Sequence, residues 1–355
     1  MYDLVIRGGT IVDGTGGASF VGDLAIEKEK IVQVGGNIGP GEKELDAGGL
    51  LVTPGFVDIH THYDGQATWD QHLTPTGWHG VTTVVMGNCG VGFAPARPDQ
   101  HDWLIQLMEG VEDIPGSALA EGINWDWETF PQYLDALEKF DRSIDIGTQI
   151  PHGAVRAYVM GERSDQVATP DDIEKMSVIV EEALAAGALG FTSSRTMLHR
   201  AKDGEPVPGT FAGHDELMSL GRACGRAGHG VFEISSDFGM GGMHGRFRED
   251  VDWMSALSKE TGLPISFILA QASHHPDEWR EILHWTEQAV SAGANLRAQV
   301  AARPAGMLMN FDNPMHPFKG HPTYLKVAAL SLEDKVKALS VPMTRNQLVD
   351  ESSTL

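Results

Sequence analysis

Apolar residues in the first fifty positions come in short clusters separated by turn-forming pairs. The stretches 4–7, 10–12, 23–26 and 31–34 are broken by Gly-Gly, Asp-Gly and Glu-Lys, and 42–46 and 50–53 continue the rhythm. Runs this short, spaced by such turns, predict small antiparallel strands. Residues 1–54 are therefore expected to form a small β-domain.

Past Pro54-Gly55 the pattern lengthens. Apolar, strand-like runs at 56–59, 82–86, 144–150, 189–193, 231–235, 265–271 and 295–300 alternate with stretches of helical period. The segment 170–186 opens on Thr169-Pro170-Asp171-Asp172, a helix start, and stops at Gly187; 214–226 and 277–292 are also helical in pattern. Strand and helix alternating in this way imply a parallel sheet built from right-handed crossovers. Seven strands are one short of a closed (β/α)8 barrel, so residues 55–330 are expected to form a TIM-like barrel lacking its last strand. The stretch 90–124 reads as a long irregular insertion, and 331–355 as a polar helical tail.

The chemistry gathers at the ends of the first two barrel strands. Asp58-Ile59-His60-Thr61-His62 closes the first. Alternate residues of a strand share a face, so His60 and His62 are expected to project together and to share a cation, with Asp58 or Asp64 orienting a ligand. Cys89, in Gly87-Asn88-Cys89-Gly90 at the end of the second strand, lies one strand spacing away as a candidate thiolate ligand. Cys224, inside a helical pattern, reads as packing.

Composition narrows the field. There are 26 Lys and Arg against 49 Asp and Glu, a formal charge of -23. So acidic a surface repels phosphate backbones and anionic membranes, and argues against nucleic-acid or membrane partners. Two cysteines make no disulfide framework, the first residues carry no leader pattern, and no apolar run is long enough to span a membrane. The cytoplasm is the expected location. There is no glycine-rich phosphate loop.

The opener Asp3-Leu4-Val5-Ile6-Arg7-Gly8-Gly9-Thr10-Ile11-Val12-Asp13-Gly14 and the stretch Val52-Thr53-Pro54-Gly55-Phe56-Val57-Asp58-Ile59-His60-Thr61-His62 resemble the amidohydrolase superfamily. Gly87-Asn88-Cys89-Gly90 resembles its N-acyl-D-amino-acid deacylases (D-aminoacylases), in which a Cys at this point stands in place of the carboxylated Lys of dihydroorotases and hydantoinases. The resemblance implies a barrel plus a small β-sandwich made from both chain ends, and one or two zinc ions. It also implies hydrolysis of a linear amide in a small N-acyl amino acid by a water that zinc and a late-strand Asp activate. It implies two further His ligands, at strands five and six. Gln271-Ala272-Ser273-His274 matches the second, making His274 a candidate, while the fifth strand offers Glu233 where the family has His. Arg195 and His199, after the fourth strand, are candidates for contacting an anionic part of the substrate. The catalytic Asp has no counterpart after Val300, since Asp312 reads as a loop residue, so no catalytic acid or base is assigned. The strands that would complete the small β-domain are missing too, and the chain is expected to be a C-terminally truncated member. Two alternatives stay open: a cyclic-amide hydrolase of the hydantoinase or dihydroorotase type, and a non-catalytic barrel that has lost ligands.

Overall fold

The computed structural model describes residues 1–238, 247–272, 275–301, 311 and 316–353. They fall into two units. The first comprises Met1–Asp58 and Pro75–Thr83; the second comprises Ile59–Thr74 and the described residues from Val84 onward.

The first unit is built around β1 (Tyr2–Ile11). Strand β2 (Phe20–Glu27) pairs antiparallel to it, and β3 (Lys30–Val34) antiparallel to β2. On the other side of β1 lie β4 (Gly41–Asp46) and the two-residue β5 (Leu51–Val52), and both run parallel to it. The expectation of antiparallel strands throughout is thus corrected. Residues 35–40 carry the chain back from the end of β3 to the start of β1, so β4 sets out in the same direction as β1, with Gly41 beside Tyr2. Val5, Ala25 and Ile38 form the unit's small buried core, with Tyr2 packed against it. Arg7 clamps the sheet, pairing with Asp23 at 2.8 Å and Glu44 at 2.6 Å. At Gly9 an added Cβ would sit 2.4 Å from Val52 Cγ2, so only glycine lets β5 approach. Strand β6 (Phe56–Asp58) belongs here as well, and Phe56 N–H donates to the Gly80 carbonyl.

Strand β7 (Val81–Met86) begins in the first unit and ends in the second. Within the second unit the Met86 carbonyl accepts from Gln149 N–H, between β8 (Asp145–Thr148) and β9 (Ile150–Pro151). A parallel sheet then runs β9, β10 (Gly190–Ser194), β11 (Val231–Ser235), β12 (Ile265–Ile268), β13 (Leu296–Gln299). Its central strands are buried along almost their whole length, as parallel strands covered on both faces must be. Phe191 and Phe232 pack against each other from neighbouring strands, their rings tilted by 47° with centroids 5.1 Å apart. Each of the seven predicted strand positions carries a strand.

Helices fill the connections. The first two are α1 (His101–Glu112) and α2 (Gly116–Gly122), followed by α3 (Phe130–Glu138), α4 (His152–Met160) and α5 (Pro170–Ala186). Then come α6 (His214–Ala227), α7 (Phe247–Thr261) and α8 (Glu278–Ser291). Helix α5 starts and stops where its signals lie: the Thr169 side chain accepts from Asp172 N–H, and Gly187 caps the far end. It buries Met176, Val180, Ala183 and Leu184, a stripe of helical period. Cys224 is fully buried in α6. The insertion expected to be irregular contains α1 and α2. Leu104, Ile105, Leu107 and Met108 are all buried, an i, i+1, i+3, i+4 stripe that Gly and Pro on both flanks disguise in the sequence. The tail is helical as expected, at Leu332–Leu339 and Pro342–Asp350.

Candidate metal centre

Directly after β6 the chain leaves extended pairing, and Thr61 becomes its anchor. Thr61 N–H and Oγ1 both reach the Val85 carbonyl, at 2.9 and 2.8 Å, and its own carbonyl accepts from Asn88 Nδ2 at 3.1 Å. With Thr61 tied to the end of β7, its neighbours His60 and His62 are left to project elsewhere. Their rings meet edge to face with centroids 5.5 Å apart.

The turn that presents the sulfur is a run of left-handed residues: Gly87 at φ +79°, Cys89 at +58° and Gly90 at +70°. Glycine is required at two of these positions for space as well. A Cβ on Gly87 would lie 2.1 Å from the Gln149 carbonyl oxygen, and one on Gly90 2.6 Å from Ser194 N. Asn88 locks the turn, donating to the Val85 carbonyl and accepting from Gln149 Nε2 at 2.9 Å. Thr192 Oγ1 donates to the Gly87 carbonyl and accepts from Gly90 N–H. Cys89 itself, the one non-glycine of the three, is held at a positive φ that few L residues adopt.

The outcome is convergence. Cys89 Sγ lies 3.1 Å from His60 Nε2, and one donor atom from each of His60, His62 and Cys89 falls within 4.8 Å of the others. Gln299 Oε1, at the end of β13, sits 2.9 Å from His60 Nδ1; in the tautomer with its proton on Nδ1 the ring donates to that oxygen and presents its Nε2 lone pair toward the sulfur. Glu112, the last residue of α1, comes within 3.2 Å of His62 Nε2, and Cys89, Glu112 and His199 form a second set of donors within the same 4.8 Å limit.

Electrostatically the cluster sheds charge of either sign. Burial pushes the Cys89 thiol well up, helped by Glu112 and Glu233. Burial, then His60 and His199, holds His62 well below the usual imidazole range, and burial with His60 brings His199 down to about 4. Burial also raises the carboxyls: Asp64 to about 7, Glu112 to about 8 and Glu233 to about 8. Neutral rings and protonated acids are what a desolvated pocket favours without a cation, and a cation reverses that preference.

A metal fits these residues on two grounds. One sulfur and two imidazole nitrogens are a donor set suited to a borderline-soft divalent ion. Among the described residues, eight buried side-chain polar atoms have no hydrogen-bond partner, and His62 Nδ1, Asp64 Oδ2, Glu112 Oε1 and Glu233 Oε2 are four of them. Glu112 Oε1 is near His62 without hydrogen-bond alignment, so that contact does not satisfy it. Unsatisfied buried polar atoms are rare, and their concentration in one place calls for a partner that binds several at once.

The remaining candidates are placed as follows. Glu233, on β11, is fully buried; it accepts from the Cys89 backbone N–H, and Ser235 Oγ lies 3.4 Å from its Oε1. His274 and Asp312 lie outside the described residues. Asp64 is buried, and Asp58 belongs to the first unit. Arg195 directs its guanidinium to the carbonyls of Thr210 and Ala212, at 3.2 and 2.7 Å, with Asp250 at 3.8 Å. Gln299 and Glu112 were not among the sequence candidates. A polar residue closing a strand carries no chemical signature, and Glu112 sits in the stretch read as irregular.

The chain is similar to several known proteins. Residues 43–342 match the sequence model described as the amidohydrolase family. A D-aminoacylase of Alcaligenes xylosoxydans xylosoxydans is 34% identical over 193 residues, covering 54% of this chain and 37% of its own. An N-acyl-D-glutamate deacylase of the same organism is 29% identical over 337 residues, 91% of this chain and 58% of its own. Among solved structures, a D-aminoacylase studied for its binuclear metal center superposes with a TM-score of 0.69 at 26% identity, over 84% of this chain and 58% of that one. The Bordetella bronchiseptica N-acyl-D-glutamate deacylase, solved with zinc and a phosphonate inhibitor, gives 0.65 at 24% identity over 85% and 59%, a likeness of fold. The chain thus spans between 37 and 58% of the length of these two curated relatives. The fold is the α/β class of the amidohydrolase (β/α)8 barrels, with an added N-terminal sheet, and the resemblance read from the His-x-His and Gly-Asn-Cys-Gly motifs is borne out. Since the matched segment takes in both motifs and every strand from β6 to β13, the chain belongs to the amidohydrolase family.

Proposed function

We propose that this protein is a zinc-dependent hydrolase of linear amide bonds that deacylates small N-acyl-D-amino acids. The observation that carries the reading is the meeting of His60, His62 and Cys89 with donor atoms inside 4.8 Å. The named relatives, D-aminoacylase and N-acyl-D-glutamate deacylase, supply the substrate class. A cyclic-amide hydrolase is disfavoured because β10 ends in Thr192-Ser193-Ser194, with no Lys to carboxylate.

A divalent cation bound here supplies Lewis-acid chemistry, polarising a carbonyl and lowering the pKa of water to about 7. The chain does the rest. Gln299 holds the His60 ring at Nδ1, and the Gly87–Gly90 turn fixes the sulfur. The buried walls, with Asp64 and Glu233 among them, exclude bulk water and strengthen every charge interaction at the site. We further place the protein in the cytoplasm; no helix among the described residues is long and apolar enough to cross a membrane.

The test is a substrate panel. Zinc-loaded protein is offered N-acetyl-D- and L-amino acids and cyclic amides, with amine release measured. Turnover of D substrates, lost on Cys89→Ala, is expected. Inertness toward every N-acyl amino acid overturns the proposal.

A further inference from the structure

A network of buried polar side chains adjoins the Cys89 turn, and the proposed chemistry leaves it unused. It starts at Arg156 of α4, whose Nη1 donates to Glu216 Oε1 in the first turn of α6. His152, the first residue of α4, has Nε2 2.9 Å from the same oxygen and Nδ1 2.9 Å from Ser193 Oγ on β10. None of the four residues is more than 4% exposed. The direction of each bond follows from the groups. Glu216, paired with a guanidinium, is a carboxylate and can only accept. Burial holds the His152 ring below the usual imidazole range, so it carries one proton. That proton sits on Nε2, facing Glu216, and Nδ1 accepts from the Ser193 hydroxyl. Arg156 is fixed in turn, through Nε to the Ser164 carbonyl at 2.9 Å and through Nη2 to the Gln166 carbonyl.

The network meets the metal centre at two points. Gly153, next to His152, donates its N–H to the Gly90 carbonyl at 2.9 Å, and a Cβ there would lie 2.7 Å from that oxygen. Ser193 stands between Thr192, which holds Gly87 and Gly90, and Ser194, whose Oγ lies 3.2 Å from His199 Nδ1. Successive strand residues face opposite sides, so Ser193 is gripped from one face of the sheet while its neighbours serve the cluster on the other. The order serine, histidine, carboxylate is that of a serine hydrolase, but fully buried Ser193 meets no substrate. Stability does not account for the network either, since apolar side chains of the same volume often serve it as well or better than buried charges. What charge-assisted hydrogen bonds add is geometric specificity. We infer that Arg156, Glu216, His152 and Ser193 are positioning residues of the metal centre, holding the first turn of α4 and the end of β10 so that residues 87–90 present the Cys89 sulfur. The inference rests on the metal reading of His60, His62 and Cys89.

The experiment reads geometry at the site separately from stability. Metal-free protein is titrated with Co2+ against a chelating dye, and the ligand-field and sulfur-to-cobalt absorption of the loaded protein is recorded. Ser193→Ala cuts the last link, and His152→Phe keeps a ring but neither nitrogen. Each is expected to weaken Co2+ binding by about 10-fold, the lower end of what groups behind a ligand contribute, and to change the ligand-field envelope. Ile282→Val, which trims a buried residue of α8, lowers the melting temperature and leaves both readings at the parent's values. Parent-like affinity and absorption in Ser193→Ala overturn the inference, whether or not His152→Phe folds. So does an Ile282→Val protein whose absorption moves as that of Ser193→Ala does, because loss of stability alone then explains the change. A parent that binds no Co2+ overturns this inference and the metal reading together. A parent that shows the expected dependence yet leaves every N-acyl amino acid intact upholds the inference and overturns only the proposed activity.

Discussion

Gln299 and Cys89 grip opposite nitrogens of one ring: Gln299 Oε1 is 2.9 Å from His60 Nδ1, and Cys89 Sγ is 3.1 Å from Nε2. In the tautomer with its proton on Nδ1 the ring donates to the amide oxygen, and Nε2 is the nitrogen left to face a metal. Replacing Gln299 with Leu removes that oxygen without touching a metal-donor atom. Metal affinity is expected to fall by about 10–100-fold, the usual cost of losing the group behind a ligating histidine, with the melting temperature of the metal-free protein almost unchanged. Competition against a chelating dye measures it; unchanged affinity means Gln299 does not orient the ring.

The turn carrying Cys89 depends on backbone space. Gly87→Ala would place a methyl carbon 2.1 Å from the Gln149 carbonyl oxygen at φ +79°. The left-handed conformation alone costs about 1–2 kcal/mol, and the overlap adds about 1–3 kcal/mol. Urea unfolding should show a loss of about 2–5 kcal/mol, together with loss of metal binding. Gly16→Ala, also at positive φ but with open space around it, should lose no more than the conformational part.

These two cases mark where sequence reasoning reaches. His-x-His at a strand end and Cys between glycines announce themselves, because the residue types are rare and their spacing matches strand geometry. Thr169 and Gly187 mark a helix for a similar reason, each being chosen by a local backbone requirement. Gln299 is different: its role exists only because β13 ends opposite the segment holding His60, and nothing near it in sequence says so. Glu112 was hidden by its neighbourhood, where a helix lies between Pro98 and Pro115 and reads as a loop. The parallel course of β4 and β5 beside β1 is likewise a consequence of where the chain returns, which hydrophobic pattern does not encode.

Metal removal should register as stability. A ligand binding only the folded state adds RT ln(1 + [L]/Kd), about 2.7 kcal/mol at a hundred times Kd. Stripping the ion leaves His62 Nδ1, Asp64 Oδ2, Glu112 Oε1 and Glu233 Oε2 buried and unpaired. The melting temperature is expected to drop by several degrees on chelation and to recover when Zn2+ is restored. Cys89→Ala should be insensitive to both treatments. Calorimetric scans with and without chelator decide, and a parent protein indifferent to chelation contradicts the metal assignment.

A last prediction concerns acid and the first turn of α5. Asp172 accepts from Arg163 Nη1 and Nη2, at 3.2 and 2.9 Å, and from Thr169 N–H and Oγ1, at 2.9 and 2.7 Å. The Arg163 guanidinium, then the Thr169 bonds, holds this carboxyl well below the usual carboxylate range. A group whose pKa is lower folded than unfolded stabilises the fold where it is ionised in both states. That contribution is complete above the unfolded value of about 3.9, and fades as pH falls from there toward the folded value. Asp172→Asn should therefore cost about 1–2 kcal/mol at neutral pH, the scale of a helix cap with charge-assisted hydrogen bonds. Half-exposed Arg163 makes part of this salt-sensitive. The gap between parent and variant should hold steady from pH 7 to about 5 and close below about 4, because only the parent has a carboxylate to protonate. Unfolding curves for both proteins across that range test the sign: a gap that widens in acid would mean that the Asp172 carboxyl is stabilised in its protonated form.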